Sequence, residues 1–82
     1  MKTLQLLKEQ MSRQMVLYEP EIAFAEEQKV YYLCFVTNNY DVKVIYNKRL
    51  LLFINNKYTG NTYTVQDFNG LISKIREKTC QR

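Results

Sequence analysis

The chain has 82 residues, 46% hydrophobic and 24% charged, with 12 Lys and Arg against 8 Asp and Glu, no His, two Cys and two Gly. That length suits one small domain, residues 1–82, and the composition is that of a folded chain rather than a disordered one. Absence of His removes the commonest general base and the mixed His/Cys zinc sets, two distant cysteines cannot make a four-thiolate site, and Gly60 and Gly70 alone cannot build a phosphate loop or a dinucleotide fingerprint. No enzyme activity, catalytic residue, metal or cofactor is therefore expected.

The net charge of +4 permits weak attraction to nucleic acid, although the basic residues are scattered with no dense run. No apolar run approaches the ~20 residues of a membrane-spanning helix. Leu4, Leu6 and Leu7 give way to Lys8 before a signal-peptide core can form. A cytoplasmic protein is expected, with Cys34 and Cys80 reduced and Cys34 serving as a small core residue. Abundant Lys, Asn, Tyr and Ile beside little Gly, Pro and Ala is the codon signature of an AT-rich genome, such as that of a phage or mobile element.

Taken in order, residues 3–18 carry a helical pattern with Thr3 as N-cap. Leu4, Leu7, Met11, Met15 and Tyr18 form its apolar stripe, with Leu6 and Leu17 as a smaller second flank. Pro20 ends that helix, since the residue before a proline is pushed out of helical geometry. Residues 21–25 alternate as a short edge strand would, but suit a helical turn as well, and 26–29 turn the chain.

Residues 30–37, rich in β-branched and aromatic side chains, predict a strand. The pair Asn38-Asn39 tolerates the positive φ angles of a two-residue I′ hairpin turn. Residues 40–46 predict the central strand, 47–48 a second two-residue turn, and 49–55 a third strand. Two-residue turns fix the register and hence the faces. One face then holds Tyr31, Leu33, Phe35, Val42, Val44, Tyr46, Leu51 and Phe53, with Tyr40 at its edge, and is the expected core. The other holds Val30, Tyr32, Cys34, Val36, Ile45, Leu50, Leu52 and Ile54 around Asp41 and Lys43. Apolar residues on both sides of a sheet call for a second covering layer, either a helix of the same chain or a partner.

Residues 55–63 read as a polar, turn-rich loop. Thr64 to Asp67 starts a helix with a capping hydroxyl and a carboxylate. Val65, Phe68, Leu71, Ile72 and Ile75 form its stripe, and Gly70 is expected to allow close packing on the sheet. The architecture expected is α+β in the order α-β-β-β-α, a three-stranded antiparallel meander between two helices, or four-stranded if 21–25 joins. That order resembles the double-stranded-RNA-binding domains. The resemblance is in order alone, because Val65, Gln66 and Asp67 stand where those domains present lysines to phosphate.

The function expected is that of a small regulatory or inhibitory protein that binds another protein or itself as a homo-oligomer. Tyr32, Val36, Ile45, Leu50, Leu52 and Ile54 are the contact residues expected on the second sheet face. The alternative is a DNA- or RNA-binding protein using Lys43, Lys48, Arg49, Lys57, Arg76 and Lys78.

Overall fold

The computed structural model describes residues 2–81 and has one sheet with two helices on one side. Helix α1 (Lys2–Ser12) precedes five strands, β1 (Tyr18–Ala25), β2 (Val30–Thr37), β3 (Tyr40–Asn47), β4 (Arg49–Ile54) and β5 (Lys57–Tyr63), and helix α2 (Phe68–Lys78) follows them. The strands form an antiparallel meander in the order β1-β2-β3-β4-β5. The α+β class and the helices at both ends agree with the sequence reading, and the sheet has two strands more than the three read from 30–55.

One added strand is β1, which takes residues 21–25 and extends upstream to Tyr18. Its pairing with β2 is interrupted between Tyr18 and Glu21, where Glu19 adopts φ 51° and Pro20 follows. Helix α1 stops at Ser12 instead of reaching residue 18, and Tyr18 pairs with Val36 in the sheet. Leu4, Leu7 and Met11 are buried as the stripe predicts, and Met15, whose N–H bonds to the Met11 carbonyl at 3.0 Å, joins the same core. Tyr18 instead is 59% exposed, and Thr3 lies inside α1 rather than at its cap.

The other added strand is β5, read from sequence as a loop. Asn55-Asn56 adopts φ 51° and 66°, matching the 49° and 69° of Asn38-Asn39, so both pairs make tight turns with two left-handed residues. The turn between β3 and β4 differs. Asn47 pairs with Arg49, leaving Lys48 alone between them at φ 63°. One residue fewer in the turn moves the β4 register by one, and with side chains of period two every β4 side chain changes face. Leu50, Leu52 and Ile54 therefore join the core side, while Leu51 and Phe53 leave it.

The core joins Leu33, Phe35, Val42, Val44, Leu50 and Leu52 of the sheet to Leu4, Leu7 and Met11 of α1 and Leu71, Ile72 and Ile75 of α2. All six sheet residues belong to one face by register, so both helices cover that face. Tyr31, at its far end, is 42% exposed and packs edge-on against Phe24 with ring centroids 4.9 Å apart. It lies outside the core expected for it.

Helix α2 starts later than read. Its N-cap is Asp67, whose carboxylate accepts the Gly70 N–H at 3.1 Å. A Cβ at Gly70 would collide with that carboxylate, so this glycine makes room for the cap rather than for the sheet. At the other end the chain is stitched to the turn between β2 and β3. Gln81 Nε2 donates to Thr37 Oγ1 at 3.0 Å and Thr79 Oγ1 at 2.8 Å, and Asn38 Nδ2 donates to the Thr79 carbonyl. Thr37 and Thr79, both buried, thus find partners, as buried hydroxyls must.

Candidate docking face

The sheet face away from the helices follows directly from the register. One row across the strands runs Ala23, Tyr32, Ile45, Leu51 and Thr62, and the next runs Glu21, Cys34, Lys43, Phe53 and Tyr58. Val36 and Asp41 pair in a third row, and Asn47 and Arg49 lie at the opposite end. Tyr32, Cys34, Val36, Ile45, Leu51 and Phe53 are all half-buried, shielded by sheet neighbours rather than by a helix. None of them joins the core cluster. Of the contact residues expected from sequence, Tyr32, Val36 and Ile45 lie here. Leu50 and Leu52 are fully buried in the core on the helix side and Ile54 packs against that core. Their places on the open face are taken by Leu51 and Phe53, which sequence reasoning assigned to the core.

Polar groups are concentrated at one corner. A hollow of about 290 Å³ is bordered by Glu19, Glu21, Asp41, Lys43 and Asn56, with Cys34 and Val36 between them. Burial raises the Cys34 thiol pKa, the nearby Glu21 carboxylate adds to the rise, and Lys43 partly opposes it. Cys34 is thus held as a thiol and sits on the open face, not in the core. The Lys43 ammonium lies 5.1 Å from the centroid of the Tyr32 ring, a cation–π arrangement. Phe53 and Tyr58 pack with centroids 5.3 Å apart. At the other end Arg49 Nε donates to Thr62 Oγ1 at 3.1 Å.

Among the described residues the one ion pair is Lys74 with Glu77 on α2, 3.4 Å apart. Glu19, Glu21, Asp41, Lys43 and Arg49 form no ion pair among the described residues. No group of three or more metal-ligating side chains occurs among the described residues.

The six cations named for nucleic-acid contact are dispersed. Lys43 and Arg49 are on the open face, Lys48 is in the turn beside it, and Lys57 begins β5 at the opposite end of the strands. Arg76 and Lys78 sit on α2, in the layer behind the sheet. No described helix is long and apolar enough to cross a membrane. Comparisons with protein-family models, curated proteins and solved structures find no match.

Proposed function

We propose that this chain is a small, non-enzymatic regulatory or inhibitory protein that works by binding protein at the open face of its sheet. The observation that carries the reading is the row of Tyr32, Ile45 and Leu51 with Phe53 and Val36 beside it, left without a covering layer while both helices pack on the opposite face. An antiparallel sheet that stops at two layers normally turns a polar face to water. Contiguous apolar surface in the range of a few hundred Å² marks an interaction site instead. A chain of this size buries roughly 60–65% of its unfolded surface, so covering this face adds stability that its own core cannot supply.

Two further features support the reading. Raising the Cys34 pKa moves the thiol away from the thiolate that nucleophilic chemistry needs. Nucleic-acid binding, the second reading, draws no support from cations spread over both layers and both strand ends.

The test is a photo-activated cross-linking side chain placed at Ile45 or Leu51, with Lys74 on α2 as the control position, irradiated in the native host. Protein adducts are expected from positions 45 and 51 and not from 74. Adducts absent from both open-face positions, or formed equally from Lys74, would overturn the reading.

A further inference from the structure

Given a docking face, its charges restrict what lies on it. Glu19, Glu21 and Asp41 occupy the end near the turn between β2 and β3, whereas Arg49 and Lys48 occupy the end near the turn between β3 and β4. Between them lie the row of Tyr32, Ile45 and Leu51 and the row of Cys34, Lys43 and Phe53, the second carrying the cation Lys43 with Glu21 at its β1 edge. Resting on the reading above, we propose that the occupant is a second copy of this chain, the two sheets packed face to face about a two-fold axis that runs across the strands.

A two-fold contact is isologous, each patch meeting its own copy. For two facing sheets the axis lies in the plane between them, and its direction decides which ends meet. An axis along the strands sets the acidic end of one copy on the acidic end of the other. Across the strands it reverses the ends, so that the Asp41 end of each copy meets the Arg49 end of its mate, twice over. The same operation lays the row of Tyr32, Ile45 and Leu51 over the row of Cys34, Lys43 and Phe53. Strands of the two copies then run antiparallel and aligned, the ordinary packing of a two-sheet sandwich with layers about 10 Å apart.

Lys43 is the group such packing has to accommodate. Its ammonium lies over the Tyr32 ring, and Glu21 in the same row and Asp41 in the next put carboxylates on the same face, so a partner charge is at hand when water leaves. Five strands about 4.8 Å apart and six to eight residues long give a face of roughly 500 Å² in plan. A pair thus buries on the order of 1,000 Å², the lower bound for a specific interface, which corresponds to a reversible dimer rather than an obligate one. The edge of β1 favours face over edge, because the Glu19 bulge and Pro20 break the backbone pairing an added strand needs.

Sedimentation velocity on the full-length chain tests this, with a short bis-maleimide applied to Cys34 in a Cys80→Ser background. Dimers at tens of micromolar are expected, and cross-linking through Cys34 should give a species of twice the chain mass. Asp41→Arg and Arg49→Asp are each expected to weaken dimerisation by roughly tenfold or more, and the combined variant to recover it, since the swapped charges face each other again. Asp41 and Arg49 are exposed, so these variants keep the fold, which circular dichroism checks.

A chain that stays monomeric at 0.1 mM (on the order of a hundred times a micromolar dissociation constant) would overturn the second copy. So would a combined variant as weak as its parents. If adducts from position 45 then join this chain to a different protein, the docking face stands and only its occupant is wrong. A dimer that survives Leu51→Glu and leaves Cys34 uncross-linked overturns the face-to-face pairing, and without adducts from position 45 the docking face falls too.

Discussion

Leu51 and Leu52 are neighbours in β4 with identical side chains, yet Leu52 is sealed beneath the helices and Leu51 is half-exposed on the opposite side of the sheet. The whole molecule repeats that contrast. On the covered face aliphatic side chains meet the Leu4, Leu7, Met11 stripe of α1 and the Leu71, Ile72, Ile75 stripe of α2, and no charged residue joins the cluster. On the open face the same strands present nearly as much apolar surface, but interrupt it with Lys43 in the centre and carboxylates at one corner. Hydrophobicity alone does not distinguish the faces. Charge does, because the face buried within the chain excludes it, whereas the open face carries it.

Alanine at the two leucines gives the largest expected difference. Leu52→Ala removes a fully buried side chain of the core cluster and is expected to cost about 3 kcal/mol, within the usual range of roughly 2–5 for buried leucines. Leu51→Ala in the monomer is expected to cost less than about 1 kcal/mol. Urea unfolding at equal protein concentration measures both, and equal losses would erase the distinction between faces.

Polar contacts should follow the same ranking at smaller scale. Gln81→Ala strips buried Thr37 of the amide that donates to it and is expected to cost about 1–2 kcal/mol. Asp67→Ala, which uncaps α2, should cost about 1 kcal/mol. Arg49→Ala loses only an exposed bond to Thr62 and is expected to change monomer stability by less than about 0.5 kcal/mol. Thermal and urea unfolding of the three variants checks the order.

Titration sharpens the comparison further. Burial raises the Tyr63 pKa on the covered face and the Cys34 pKa on the open one. For Tyr63 the folded chain holds its proton to higher pH than the unfolded chain does. Its contribution is intact below the ordinary phenol value of about 10 and is lost as pH rises through and above it. Tyr63→Phe should flatten stability measured between neutral pH and that range. For Cys34, alkylation by iodoacetamide should lag that of an ordinary thiol at neutral pH and accelerate as pH rises. Glu21→Gln, by removing the second cause of the shift, should speed it at any fixed pH.

The sequence was legible where a pattern had a period. The Leu71, Ile72, Ile75 stripe of α2, the Val30–Thr37 strand and the Asn38-Asn39 turn form where the sequence places them, whereas the α1 stripe holds only from Leu4 to Met11 and its expected end at Tyr18 lies in β1. The β4 run Leu50-Leu51-Leu52-Phe53-Ile54 is apolar throughout, so its phase depends only on the preceding turn. Lys48 taking a left-handed conformation alone was enough to invert it. Half of the expected contact residues moved to the core for that single reason. Strand β5 was missed although Asn55-Asn56 repeats the dipeptide recognised at 38–39, because Gly60 and the polar residues around it outweighed Tyr58, Thr59, Thr62 and Tyr63. The acidic hollow was invisible, since Glu19 and Glu21 reach it only once β1 pairs with β2.

Urea unfolding of Leu51→Glu beside Leu52→Glu, at chain concentrations too low for association, tests most directly whether the second face lies outside the core. The account predicts that Leu52→Glu fails to fold while Leu51→Glu keeps the wild-type unfolding free energy to within about 1 kcal/mol. Equal collapse of both variants would mean that a single subunit hides both sides of its sheet, and would contradict it.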